Sequence, residues 1–356
     1  MGATNLTSTS SSQWIFPVSA LQGTPSITTS SISLDKELYD RARGIEFMFR
    51  LGVSLQLPIS AMYTAATWFH RFYMRYSMED YHRQDVAASC IFLATKTEEC
   101  GRKLRDVAKV FYSKVAKVDI NDISDDNKEL GNYQSAILLT EEVLLEALCF
   151  DFVVESPHAE LVDLFTSRQE TEQFMECAWS IANDTARTPL CILYPPRIIA
   201  AACYILAQHV LEGPQSPSLD KRIASPAPSA SLPTPPSHKV LSPEASRFAV
   251  EYFGFTEVDL AGIAESLNVI LEFYAAQDSQ NSPHLGSVIA ISPPSMSASR
   301  KKLYTPFSGS TSSQLSYTST SRDDAGETPN SSHGGNTPGK HQGKGWKPIT
   351  GSPSSA

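Results

Sequence analysis

The triplet His70-Arg71-Phe72 carries two of the three residues of the His-Arg-Asp catalytic loop of protein kinases, whose aspartate accepts the proton of the attacking hydroxyl. Phenylalanine stands in the place of that base, and a benzyl group accepts no proton. No Gly-rich phosphate loop of either the kinase or the Walker type occurs in the sequence. The six cysteines, Cys90, Cys100, Cys149, Cys177, Cys191 and Cys203, form no Cys-x-x-Cys pair, which a zinc ribbon or a thioredoxin-like site needs. No nucleophile–base pair and no metal-spaced cluster emerges. Catalytic residues, cofactors and metals are therefore all expected to be none, and His70 is expected to be a packing residue.

Two polar features remain. Arg102, Lys103, Arg105, Lys109, Lys114 and Lys117 form a basic run around one helix. It reads as a solvated face, or as a docking surface for an acidic patch or a phosphorylated partner. The dipeptides Ser216-Pro217, Ser225-Pro226, Thr234-Pro235, Ser242-Pro243, Ser292-Pro293, Thr305-Pro306 and Thr328-Pro329 have the form that a proline-directed kinase modifies, although Ser/Pro-rich composition also generates them. The net charge of −9 and pI near 5.4 disfavour a protein built to grip a phosphate backbone, and suit a surface that meets a basic partner.

The elements that must position these groups are helical. The 41% hydrophobic content is concentrated between about residues 37 and 275, and strand-period alternation does not compete. Ile59, Met62, Tyr63, Ala66, Phe69 and Tyr73 recur at three- and four-residue steps behind Pro58, giving one buried face. Val86 to Thr97 is apolar nearly all round, as a helix in the middle of a bundle must be. Leu104, Val107, Ala108 and Phe111 mark a shorter helix, and Tyr133, Ile137, Thr140, Leu144 and Leu148 a closing one. A second block repeats the plan, with helices expected at about 157–167, 171–187, 195–211, 243–253 and 257–274. The near-continuous apolar segment after Pro195-Pro196 is the counterpart of Val86–Thr97, and Thr256-x-x-Asp259 is a capping signal. The expected fold is all-α: two five-helix bundles, each around a central apolar helix.

The expected division is 1–12 disordered, 13–34 an N-terminal arm anchored by Trp14 and Phe16, 35–152 the first bundle and 153–275 the second. Within the second bundle, 213–241 is a Pro/Ser-rich insertion that no helix can cross, and 276–356 is a disordered tail. Residues 1–12 lack the features of a signal peptide. No apolar stretch approaches the 18 or so residues of a membrane span, and cysteines inside apolar runs suit a reducing, intracellular setting.

Specific residues add a family. His70-Arg71-Phe72-Tyr73-Met74, Cys90 to Glu99, Arg102 to Val107 and Glu141 to Phe152 resemble the cyclin box, most closely that of transcription cyclins similar to cyclin K and cyclin T. Trp14-x-Phe16 and Thr24-Pro25-Ser26 resemble the arm that precedes it. Thr188 to Cys191 and Pro195 to Gln208 resemble second-box segments. The resemblance covers roughly residues 14–275, with the Pro-rich insertion as a departure.

That resemblance implies a non-catalytic subunit that binds a cyclin-dependent kinase as a heterodimer and holds its αC helix inward. The kinase would act on the C-terminal repeats of RNA polymerase II during transcription elongation, in the nucleus. Lys96 and Glu141 fall at the positions that hydrogen-bond kinase backbone groups, and Leu145 and Phe150 at apolar kinase-binding positions. Without the surrounding motif, Lys96 would read as a lysine snorkelling at a helix end, and Glu142 is a register rival for Glu141. The alternatives are a splicing-associated cyclin resembling cyclin L, whose Arg/Ser-rich tail is missing here, and a protein resembling transcription factor IIB. The latter binds promoter DNA and brings an N-terminal zinc ribbon and a basic surface; residues 1–35 contain no Cys and the net charge is negative, so direct nucleic-acid binding is not expected.

Overall fold

A computed structural model of the chain describes residues 11–124, 127–224, 247–277, 285–295 and 301–305. Among these, every regular element is helical. Ser33 caps α2 (Leu34–Ser54) by accepting the Lys36 amide, with Asp35 and Glu37 at its positive end. Then come α3 (Ile59–Phe72), α4 (Arg83–Thr97), α5 (Leu104–Ala116) and α6 (Lys128–Ala147). The continuous run Val86 to Thr95 of α4 is buried, so this helix has no wet face. Helices α2 and α3 cross closely at Gly44, where an added Cβ would lie 2.3 Å from the ring of Phe69.

The second bundle consists of α7 (Pro157–Arg168), α8 (Glu172–Thr185), α9 (Pro196–Glu212), α10 (Leu219–Ile223), α11 (Phe248–Phe253) and α12 (Glu257–Ala275). Helix α9 is buried from Ile198 to Gln208, and α12 starts with the expected capping box between Thr256 and Asp259. The all-α architecture with a central apolar helix in each half is thus the one the apolar pattern demands. Of the expected insertion, residues 213–224 are ordered. Helix α10 buries Leu219 and Ile223 in the second core, because two apolar side chains four residues apart, between Pro217 and Pro226, cover that end of the bundle. Residues 225–246 and 306–356, with Ser225, Thr234, Ser242 and Thr328 of the Ser/Thr-Pro series, lie outside the described residues. Two pieces of the tail are parts of the fold. Helix α13 (Leu285–Ile289) is one. In the other, the amides of Leu303 and Tyr304 donate to Glu272 at 2.8 and 3.3 Å, and Tyr304 packs edge-on against Phe273.

The arm docks by its aromatics and its turn. Trp14 is buried, donates to Asp151 at 2.9 Å and lies under the Arg71 guanidinium, 4.8 Å from the ring centre. Burial works against the Asp151 carboxylate, but the hydrogen bonds from Trp14, Val153 and Gln13 hold it below the usual carboxylate range. The Phe16 amide donates to Ile192 in the second bundle at 2.8 Å. Helix α1 (Pro25–Thr28) has proline in its first turn, and the hydroxyl of Thr24 just before it donates to Glu37.

Glu37 leads to the polar centre of the molecule. Arg41, fully buried, donates to Glu37 at 2.8 Å and to the carbonyl of His70 at 2.9 Å. His70 Nε2 lies 3.0 Å from the carbonyl of Ala186, at the end of α8. His70 is therefore a packing residue, and through this contact it joins the two bundles. Burial, and then the Arg41 charge, push it down from 6.5 to about 3. The unfolded chain takes up this proton below about pH 6.5, whereas the folded chain refuses it until about 3. The contribution to stability is thus complete above 6.5 and is lost as pH falls, at about 1.4 kcal/mol per unit. Between pH 6.5 and 5 the chain should lose about 2 kcal/mol from this group. Thermal melts should show a shallower acid slope in His70→Gln, and an unchanged slope would rule the assignment out.

Candidate functional site

Lys96 ends α4 and Glu141 lies in the middle of α6. The two helices pack against each other, with the Ser89 hydroxyl of α4 donating to the carbonyl of Ile137 on α6 at 2.9 Å. The Lys96 ammonium reaches both Glu141 carboxylate oxygens, at 2.7 and 2.8 Å, and stands 4.1 Å from the centre of the Phe92 ring. The pair is lopsided: the Lys96 side chain is 47% exposed and that of Glu141 only 8%. Glu142 points to solvent. Of the two register rivals, Glu141 is the one this structure joins to Lys96.

Leu145, one turn beyond Glu141, is half-buried, and Phe150 is 64% exposed. Phe150 is presented by an unusual turn. Cys149 and Phe150 both take left-handed backbone conformations, with φ of 52° and 57°, which cost non-glycine residues about 1–3 kcal/mol each. The Phe150 amide returns to the Leu145 carbonyl at 3.1 Å, in the manner of a left-handed helix end. Arg75, from the segment after α3, donates to the carbonyls of Ala147 at 3.1 Å and Glu146 at 3.4 Å and lies 2.9 Å from the Cys149 sulfur. A cation at the negative end of α6 is favourable in itself.

Reading of the sequence did not single out several of the residues here. Leu138, Leu139 and Val153 are 46%, 65% and 58% exposed. Leu138 shares a helical face with Glu141, Glu142 and Leu145. The signal existed: the leucines at 138 and 139 fall off the buried stripe Tyr133–Ile137–Thr140–Leu144–Leu148, so a pattern-based assignment leaves them in water. Glu98 accepts from Thr64 at 2.7 Å, two residues beyond Lys96. Arg102 of the basic run serves the fold, donating to the carbonyls of Leu55, Gln56 and Cys100 at 2.8 to 3.0 Å. Neither contact had a sequence signal, because nothing in a sequence marks which backbone carbonyl an arginine will find.

Among the described residues no group of three or more His, Cys, Asp and Glu could hold a metal ion, and no helix is long and apolar enough to cross a membrane. At the surface stands a charged pair with the exposed Leu138 one turn before Glu141 on the same helical face.

Residues 22–153 match the family described as "Cyclin, N-terminal domain". Cyclin pch1 of Schizosaccharomyces pombe is 43% identical over 202 residues, which are 56% of this chain and 58% of that one. Cyclin-K of Danio rerio is 33% identical over 198 residues, 54% of this chain and 45% of its own. The chain thus spans about half the length of the curated relatives it matches. A chain of the yeast RNA Pol II CTD kinase CTDK-1 complex superimposes with a TM-score of 0.54 over 75% of this chain and 76% of that one, at 18% identity. That likeness establishes the fold.

The unequal burial of the pair sets an unequal response to mutation. Lys96→Ala leaves a nearly buried carboxylate without its partner and should cost about 1–3 kcal/mol. Glu141→Ala leaves an ammonium that turns to water and should cost less than about 1 kcal/mol. Chemical denaturation of the two variants checks the order, and equal losses would contradict it.

Proposed function

We propose that this chain, whose residues 22–153 match the cyclin N-terminal domain family, is the regulatory, non-catalytic subunit of a cyclin-dependent kinase that acts in RNA polymerase II transcription in the nucleus. Residues 35–152 and 153–275 serve as its two boxes. The observation that carries this reading is the Lys96–Glu141 pair, with the exposed Leu138 on the same face of α6 and the exposed Phe150 held out by the turn after it. The 33% identity of this chain with Cyclin-K supports the choice of transcription within the cyclin class.

In a protein kinase the β3 lysine and the αC glutamate must meet before the nucleotide phosphates are held correctly. A subunit that binds only the helix-in state raises its population. Reversing a ~1:99 equilibrium takes about 5.5 kcal/mol of differential binding. The ion pair, half in water, supplies about 0–1 kcal/mol of that. Covering a large exposed apolar side chain gives about 1.5–3 kcal/mol, so two to four of those around the pair suffice. The division of labour follows: Leu138, Leu139, Leu145, Phe150 and Val153 give the energy, and Lys96 and Glu141, aimed at kinase backbone groups, give the direction. No group of this chain takes part in phosphoryl transfer.

Purification of the tagged chain should bring down a cyclin-dependent kinase active on heptad-repeat peptides. The double variant Lys96→Ala/Glu141→Ala and the single variant Phe150→Ser should each lower that activity by at least tenfold while helical circular dichroism is retained. Full activity in both would end this assignment of the site.

A further inference from the structure

Ser216 stands where α9 gives way to the Pro-rich stretch, just after a turn of 3-10 helix at Gly213–Gln215. Its backbone is extended, with φ −63° and ψ 138°, and Pro217 follows it. An extended serine followed by proline is the form of acceptor that a proline-directed kinase takes, and of the Ser/Thr-Pro series noted in the sequence this one has a developed polar surrounding. Arg222 Nη2 donates to the Ser216 hydroxyl at 2.8 Å, and His209 Nδ1 lies 2.9 Å from it. The same ring nitrogen is 3.1 Å from the Pro217 carbonyl.

Arg222 is the unusual member. None of its side-chain surface reaches water. Its Nη2 also meets the carboxylate of Glu212, while Nε and Nη1 make no hydrogen bond among the described residues. Leu219 and Ile223, buried on the same short helix, fix its position. Burial, opposed by Glu212 and assisted by the nearby positive charge of Arg168, lowers its pKa. A buried guanidinium with two unspent donors is costly, and the cost is offset if a second anion arrives. Ser216 is the hydroxyl within its reach that can become one.

We infer that Ser216 is a phosphorylation site whose phosphate is received in place by Arg222 and His209. The donor is ATP, acting through a proline-directed serine/threonine kinase. The bond from Ser216 Oγ to the γ-phosphorus forms, the bond from that phosphorus to the β–γ bridging oxygen breaks, the hydroxyl proton passes to the base of the kinase, and ADP leaves. The product carries about −1.5 to −2 charges and three acceptor oxygens. It outcompetes the single charge of Glu212, whose side chain is 30% exposed and can turn to water. His209, kept towards its neutral form by burial and by Arg222, gains an anion at Nδ1 and becomes a donor. The phosphate then clamps the end of α9 to α10, at the point where the chain enters the Pro-rich stretch. This inference concerns the second bundle and does not rest on the docking surface proposed for the first.

The test uses the whole chain, a purified proline-directed kinase and ATP, with sites mapped by mass spectrometry and the Ser216 phosphate assigned in phosphorus NMR by comparison with Ser216→Ala. Phosphoserine ordinarily titrates near pH 6. The Ser216 phosphate should titrate about one unit lower, a tenfold preference for the dianion, and phosphatase should remove it about tenfold more slowly than phosphate on the exposed Ser292. Both effects should shrink in Arg222→Gln. They should also shrink in His209→Gln, whose residue is only half-buried, so that a folding defect of the arginine variant does not decide the matter. Absence of phosphate from Ser216, or a Ser216 phosphate that titrates and is released like that on Ser292, overturns the inference.

Discussion

A guanidinium wholly withdrawn from water sits at the centre of this molecule, and much else depends on it. Arg41 comes from α2, its carboxylate partner Glu37 from one turn earlier, and the carbonyl it reaches belongs to His70 of α3. Glu37 takes a further bond from Thr24 of the arm, and His70 passes the chain of contacts to Ala186 in the second bundle. Burying two charges costs several kcal/mol per ion, so the network holds only while each member is matched. Loss of one partner from such a pair typically costs about 3–5 kcal/mol. The gain is a fixed register between three parts of the chain, and α3, whose C-terminal side supplies Arg71 and Arg75, inherits that fixity.

From α3 the fixity reaches the surface. Arg75 secures the turn that holds Phe150 outward, and Arg71 donates to the carbonyl of Val153 at 3.1 Å, so two exposed apolar side chains hang from one helix end. An aromatic ring held out by a strained backbone is already ordered, which reduces the entropy lost when a partner covers it.

Helix spans and the two central helices were legible in the sequence because burial on every side leaves no polar position, and neither Val86–Thr95 nor Ile198–Gln208 has one that faces water. Glu141 was preferred to Glu142 through family spacing; the periodicity of α6 also puts Glu141 on the buried stripe, four residues after Ile137 and three before Leu144, and leaves Glu142 in water. The joint role of His70 was hidden for a different reason. Its contact with Ala186 spans 116 residues and ends on a backbone carbonyl. The same holds for Arg75 and Arg102, where the acceptors are main-chain atoms. The pieces at 213–224, 285–295 and 301–305 were obscured by composition, since a few apolar residues such as Leu219, Ile223 and Leu303 are diluted by Ser and Pro, yet suffice to seat a short segment on an existing core.

The arm has a mechanical consequence. It is fastened to the first bundle's end through Trp14 and Asp151, to the second through Phe16 and Ile192, and then to the first again through Thr24 and Glu37. A ribbon of about ten residues is therefore stitched back and forth across the seam. The two halves cannot open like the covers of a book unless that stitching is first pulled out, so any partner must accept them at one set angle.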